Sequence, residues 1–148
     1  MKQARTILFR CIILCLIFTL IIPATANAAT VDPVMPMASY YLDSYNTYIC
    51  DMGSGNLQIW FNVMGTGDMD EIGTLSILLF ESSDNINWTR VKTYSHENYS
   101  SMLAYDDWYH ASYVSYQGIA GKYYKAYVCI WAGKNGAGDT RYMWARMV

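Results

Sequence analysis

The sequence predicts an all-β domain: an antiparallel two-sheet sandwich of about seven strands. Turn-forming clusters recur about every ten to fifteen residues from Tyr40 to the end, the spacing of short strands in a sandwich or barrel. The runs between them are rich in Tyr, Trp, Val, Ile and Thr and alternate at a period of two, as half-buried strands do. No stretch keeps helical spacing over three turns. An immunoglobulin- or fibronectin-like topology is the expectation; a jelly roll and a small barrel are the alternatives.

The chain opens with Lys2, Arg5 and Arg10, then the apolar run CIILCLIFTLII from Cys11 to Ile22, Pro23 and the small-residue segment ATANAA. A basic start, a short apolar core and an A-x-A site describe a secretory signal peptide over 1–28, cleaved after Ala28. The apolar run is about 12 residues, against roughly 20 for a helix that crosses a bilayer. Leu14 before Cys15 departs from a lipoprotein site, and no hydrophobic C-terminal anchor is expected. Secretion is therefore the expected localisation, with no stable membrane anchor after cleavage.

Residues 29–148 suffice for one domain with its own core. They hold seven basic and twelve acidic residues, a net charge of −5. That balance argues against nucleic acid and anionic membrane as partners, since both demand clustered Lys and Arg. All 14 tyrosines and 5 tryptophans lie beyond residue 28, but of the four phenylalanines only Phe61 and Phe80 do. Tyr and Trp are favoured where one ring edge stays wet, and both are enriched at binding surfaces.

Residues 29–39, ATVDPVMPMAS, have two prolines and no period, and read as a flexible lead-in to the domain over 40–148. Residues 40–51 form the first strand, ended by the glycine-rich turn DMGSGN. Leu57, Ile59, Phe61 and Val63 then alternate with Gln58, Trp60, Asn62 and Met64 as a half-buried strand. GTGDMDEIG reads as an acidic hairpin loop. TLSILLFE, 74–81, is apolar almost throughout and reads as a central strand. After the turn SSDNIN, the stretch 88–96 alternates again. ENYSSMLAYDDW carries no clear period. Residues 109–116 are the next strand.

In KYYKAYVCIWA, Tyr124, Ala126, Val128, Ile130 and Ala132 form a core face. Tyr123, Lys125, Tyr127, Cys129 and Trp131 form the opposite face. GKNGAGD is a hairpin turn, not a phosphate cradle, because a strand and not a helix follows it. Residues 140–147 are the last strand.

The segments YNTYICDMG, GTGDMDEIGTL, FESSDNINWTRVKTYSHENY and GKYYKAYVCIWAGKNGAGDTRYMWARM resemble a family of small exported β-sandwich proteins of Gram-positive bacteria, a domain of unknown function. The resemblance covers nearly all of 40–148. It implies a secreted bacterial β domain and brings no activity, ligand or catalytic residue with it. Separately, Ser82 to Trp88 resembles the S-x-D-G-x-x-W hairpin of bacterial sandwich modules, sugar-binding ones among them. Asn85 stands in the glycine position, where asparagine tolerates the left-handed conformation.

The candidate ligand site is an aromatic sheet face. Trp60 lies on the polar side of its strand; Tyr127 and Trp131 share the lysine side of theirs. Tyr142 and Trp144 alternate on the last strand and can extend the same surface. Such rings stack on sugars or anchor a partner protein. Cross-strand pairing that stabilises the sheet is the competing reading, and segment 97–108 is the stretch available to bury the rings.

Asp68, Asp70 and Glu71 supply three of the six to eight oxygens that calcium takes. A solvated acidic hairpin fits them better, so no cofactor is expected and calcium is the weaker alternative. His96 and His110, with Ser95, Ser100 and Ser101 nearby, lack an HExxH or GxSxG pattern, so no catalytic residue is assigned.

Cys50 and Cys129 remain after leader removal. A disulfide between them would close about 80 residues and stabilise the fold by up to about 4.5 kcal/mol. Cys129 shares parity with Lys125, which places such a bond on the outer surface. The asparagines of the N-x-S/T sequons, Asn87 and Asn98, matter only in a eukaryotic pathway.

The functional expectation is a secreted, non-enzymatic binding module for a glycan or cell-surface partner. A self-associating extracellular structural protein, or one acting between cells, is the alternative; a small hydrolase ranks third.

Overall fold

The computed structural model describes residues 39–148. The expected leader, and the lead-in up to residue 38, lie outside the described residues. Six strands form: β1 (Leu42–Asp51), β2 (Asn56–Ser82), β3 (Thr89–Ser95), β4 (Leu103–Gln117), β5 (Tyr123–Lys134) and β6 (Ala137–Arg146), with a 3₁₀ turn at Ser100–Met102 between β3 and β4. The all-β expectation holds. The strands form one antiparallel sheet with the path β1-β2-β5-β6, while β3 and β4 also pair with β2.

β2 organises the molecule. Residues 56–64 lie between β1 on one side and β4 on the other. Residues 76–81 lie between β3 and β5. Between these stretches runs GTGDMDEIG, which is strand and not the expected hairpin loop, so two expected strands become one. Met69 and Ile72 explain the difference, because both are buried and give the stretch a core face of its own. Its backbone is also paired, with 69–73 against β4 and 71–73 against β5. Register shifts fall at Met64/Met69 and at Thr74/Ser76, the irregularities by which a long strand bends. Gly73 has φ of 143°, and a β-carbon there would collide with the Met102 carbonyl oxygen. Only glycine suits that position.

The bend curls the sheet until its ends meet. Met147 bridges Ile49 in parallel, and the Val148 amide donates to the Ile49 carbonyl at 3.1 Å. At the other end, Asp139 of β6 accepts from the Ser39 hydroxyl at 2.5 Å and from the Tyr40 and Tyr41 amides at 2.8 and 3.1 Å. These contacts hold its carboxyl below the usual range, with the Ser39 bond the largest cause.

The curl encloses one core. Ile49, Ile59, Phe61, Val63, Ile77 and Leu79 meet Ala126, Val128 and Ile130 there. The even row of β5 is thus buried as its alternation predicts. Tyr94 is buried too, and its hydroxyl donates to the Ser115 carbonyl at 2.8 Å, tying β3 to β4.

Cys50 and Cys129 are free thiols, so the expected disulfide is absent. Parity explains it. Ile49 and Ile130 point into the core, so their neighbours Cys50 and Cys129 face outward, from two strands that flank different stretches of β2. Cys129 is covered by neighbouring side chains. Burial pushes its thiol up, against hydrogen bonds with Tyr142 and Ser76.

Candidate functional site

The pairing of β5 with β6 sets Tyr127 opposite Trp144 and Cys129 opposite Tyr142. Directly opposed residues put their side chains on the same face of the sheet. The rings are in contact: Tyr127 stacks on Tyr142 with centroids 5.5 Å apart and meets Trp144 at 4.9 Å. Phe80 of β2, one strand further in, lies 5.6 Å from Trp144. Four rings from three adjacent strands therefore form one platform. It is open, since Tyr142 is 60% and Trp144 45% exposed. The segment 97–108 does not bury it: that stretch forms the 3₁₀ turn and the start of β4, which pairs with β2.

Beside the platform lies a cleft of about 560 Å³, walled by Asn85, Trp88, Tyr123, Lys125, Trp144 and Arg146. Its far wall comes from the turn after β2. There the Asp84 carboxylate accepts from the Ile86 and Asn87 amides at 2.9 and 2.8 Å, from the Asn87 side chain at 2.7 Å and from the Ser82 hydroxyl at 2.8 Å. Those donors hold Asp84 far below the usual carboxylate range, the Asn87 amide foremost. Asn85 takes φ of 59°, in keeping with the left-handed position of the motif. The turn delivers Trp88 to Lys125, whose Nζ sits 4.1 Å from the Trp88 ring centre and 4.8 Å from that of Trp144. A cation between two indoles orders both.

The floor is braced beneath. Glu81 accepts from Lys122 Nζ and from the Tyr124 hydroxyl, each at 2.7 Å, and the Tyr124 oxygen accepts the Ile119 amide at 2.7 Å. Burial pushes the Tyr124 phenol up to about 12. The Lys122 hydrogen bond lowers Glu81.

The five expected ring residues do not form one surface. Tyr127, Tyr142 and Trp144 do. Trp131, four residues along β5, packs against glycine backbone, where a β-carbon at Gly133 would sit 2.6 Å from the indole. Its Nε1 donates to Glu71 at 3.2 Å. Trp60 belongs to another stretch of the sheet, between Tyr48 on β1 at 6.4 Å and Tyr113 on β4 at 4.6 Å. That row is a cross-strand ladder.

Asp70 accepts the Asn135 amide at 2.6 Å, and the Asp68 carbonyl accepts Lys134 Nζ at 2.7 Å. Among the described residues no three His, Cys, Asp or Glu side chains are grouped so that they could hold a metal together, Asp68, Asp70 and Glu71 included. The His110 ring meets the Ser101 carbonyl at 2.9 Å and packs 5.7 Å from Phe61. The His96 amide donates to Leu75.

Sequence reasoning missed Phe80, Trp88, Lys125 and Arg146 as site residues. Period-two parity already placed Lys125 with Tyr127 and Arg146 with Trp144. What it could not supply was the strand pairing that opposes Lys125 to Arg146, or the turn that swings Trp88 over them.

No protein-family model matches the chain, and no curated protein does. Among solved structures it is similar to Spo0M, a sporulation control protein from Bacillus subtilis, at 7% identity and a TM-score of 0.40. The match covers 70% of this chain and 48% of that one, so the chain spans about half the length of this neighbour.

Proposed function

We propose that the chain is an exported, non-enzymatic binding protein that holds a saccharide against the Tyr127–Tyr142–Trp144 platform and its adjoining cleft. One observation carries this reading: a contiguous set of half-exposed rings borders a concave space, with the Trp144 indole shared by both. Exposed rings beside a cleft offer flat apolar area to the C–H face of a sugar at little entropic cost. Export rests on the leader pattern of residues 1–28, and agrees with the exported bacterial family that the segments above resemble. The two stretches of β2, each with its own neighbours around a shared core, support a two-layer sandwich whose layers stay joined through β2.

The test is a glycan array followed by calorimetric titration of any saccharide bound. Trp144→Ala is expected to abolish binding while far-ultraviolet circular dichroism stays unchanged. Retained binding in that variant overturns the reading. Export is checked in a Gram-positive host: protein recovered from the medium is expected to begin at Ala29.

A separate observation favours the self-associating alternative. β4 pairs only with β2 among the described strands, and it exposes Tyr105 by 62%, Trp108 by 51% and Tyr113 by 42%. An open aromatic edge strand is a template for another chain. Concentration-dependent mass in light scattering, abolished by Trp108→Lys and unaffected by Trp144→Ala, would establish it.

A further inference from the structure

The saccharide-binding platform is crossed by a row of cations with no counter-ion among the described residues. Arg90 on β3 pairs with Phe80 on β2, Phe80 pairs with Lys125 on β5, and Lys125 pairs with Arg146 on β6. Three positive side chains thus lie in one cross-strand row that spans roughly 14 Å at the usual strand spacing. Lys125 and Arg146 are directly opposed, an arrangement that destabilises a sheet when nothing separates the charges.

The surrounding carboxylates do not neutralise them. Glu81 is occupied by Lys122 and Tyr124, and Asp84 by the turn amides. Among the described residues Arg90 and Arg146 have no ion pair, and Lys125 meets only the Trp88 and Trp144 rings. This sits in a chain with an acidic balance, in which an unneutralised basic row is out of keeping with the overall composition. A local positive field flanked by indoles is what a ligand with a ring face and a negative substituent would meet.

We infer that the ligand is an anionic oligosaccharide, its rings on Trp144 and Trp88 and its negative groups along Lys125, Arg146 and Arg90. This rests on the saccharide reading above and specifies its ligand. The row spans more than one cation, so affinity rises from a monosaccharide to a trisaccharide.

The probes are trigalacturonate, its fully methyl-esterified form and inorganic sulfate, titrated against the full chain by calorimetry. The acid is expected to bind about tenfold more tightly than the ester. That advantage shrinks in about 0.5 M salt, where the Debye length is short. It disappears in Lys125→Met/Arg146→Gln and persists in Lys125→Arg/Arg146→Lys. Thermal melts confirm that both pairs of substitutions fold.

The inference is overturned if the ester binds as well as the acid, if the advantage survives in Lys125→Met/Arg146→Gln, or if sulfate displaces the trisaccharide completely. The two readings separate cleanly. An acid advantage that persists in Trp144→Ala leaves the charge row standing and removes the ring platform. Equal binding of acid and ester, lost in Trp144→Ala, keeps the platform and removes the charge row.

Discussion

The phenol of Tyr124 on β5 donates to Oε2 of Glu81 on β2 at 2.7 Å, while the other Glu81 oxygen holds Lys122. The pair links the core row of β5 to the floor of the cleft, and it makes stability depend on pH at both ends of the range. The Lys122 hydrogen bond lowers the pKa of Glu81 in the folded state. Its contribution is therefore complete above the ordinary carboxylate value and is lost as pH falls through the lowered one. Burial raises Tyr124 from 10.0 to about 12. The folded state thus favours the neutral phenol, and that contribution is lost as pH rises from about 10 towards about 12. Glu81→Gln is expected to lose roughly 1–3 kcal/mol at pH 7. In urea titrations across pH, the gap from wild type narrows as pH falls below the ordinary carboxylate value.

Thr74 offers the opposite sign. It is fully buried at the bend of β2, and its hydroxyl has no hydrogen-bond partner among the described residues. A buried, unpaired hydroxyl carries a desolvation cost that an isosteric methyl group avoids. Thr74→Val is expected to raise stability by about 1 kcal/mol, read as a higher urea midpoint with an unchanged slope. A fall in midpoint would show that the hydroxyl is satisfied in solution.

Much of this architecture was legible in the chain, and the parts that were not share a cause. Period-two alternation placed Ile59, Phe61, Val128 and Ile130 inside, because burial on one face leaves a signature within a single strand. The turn at Asp84 was legible because its chemistry is local. Whether GTGDMDEIG is loop or strand depended on Met69 and Ile72 finding a core and on β4 arriving to pair with it. Glycines and carboxylates carry no local sign of that. The site divided for the same reason: Trp60, Tyr127 and Trp131 have equivalent parity. Only the register with β4, β6 and the Gly133–Gly138 backbone separates a ladder, a platform and a ring laid against glycine.

The free thiols lead to a third prediction. Cys50 is half-buried on β1, whereas Cys129 is 7% exposed with its thiol pushed up by burial. The thiolate is the reactive form, so the two should alkylate at different rates in the native protein, Cys50 first. In denaturant both should react without prior reduction. Dithiothreitol should leave the melting temperature unchanged, since no covalent loop exists to open. A melting temperature that falls on reduction would restore the disulfide.

The ladder on the other stretch of the sheet separates structure from binding. Trp60 sits in register between Tyr48 and Tyr113, 6.4 Å from the first ring and 4.6 Å from the second, and its Nε1 donates to Gln58 at 3.1 Å. Aromatic pairs in such contact couple by about 0.5–1.5 kcal/mol beyond their burial. A double-mutant cycle of Trp60→Ala with Tyr113→Ala is expected to return a coupling in that range in urea denaturation. Neither variant should change saccharide affinity, because no ring of the ladder borders the cleft. Trp144→Ala should do the reverse, because its ring meets the platform and the cleft and is 45% exposed. A loss of saccharide binding in Trp60→Ala without loss of stability would move the site to the Tyr48–Trp60–Tyr113 row.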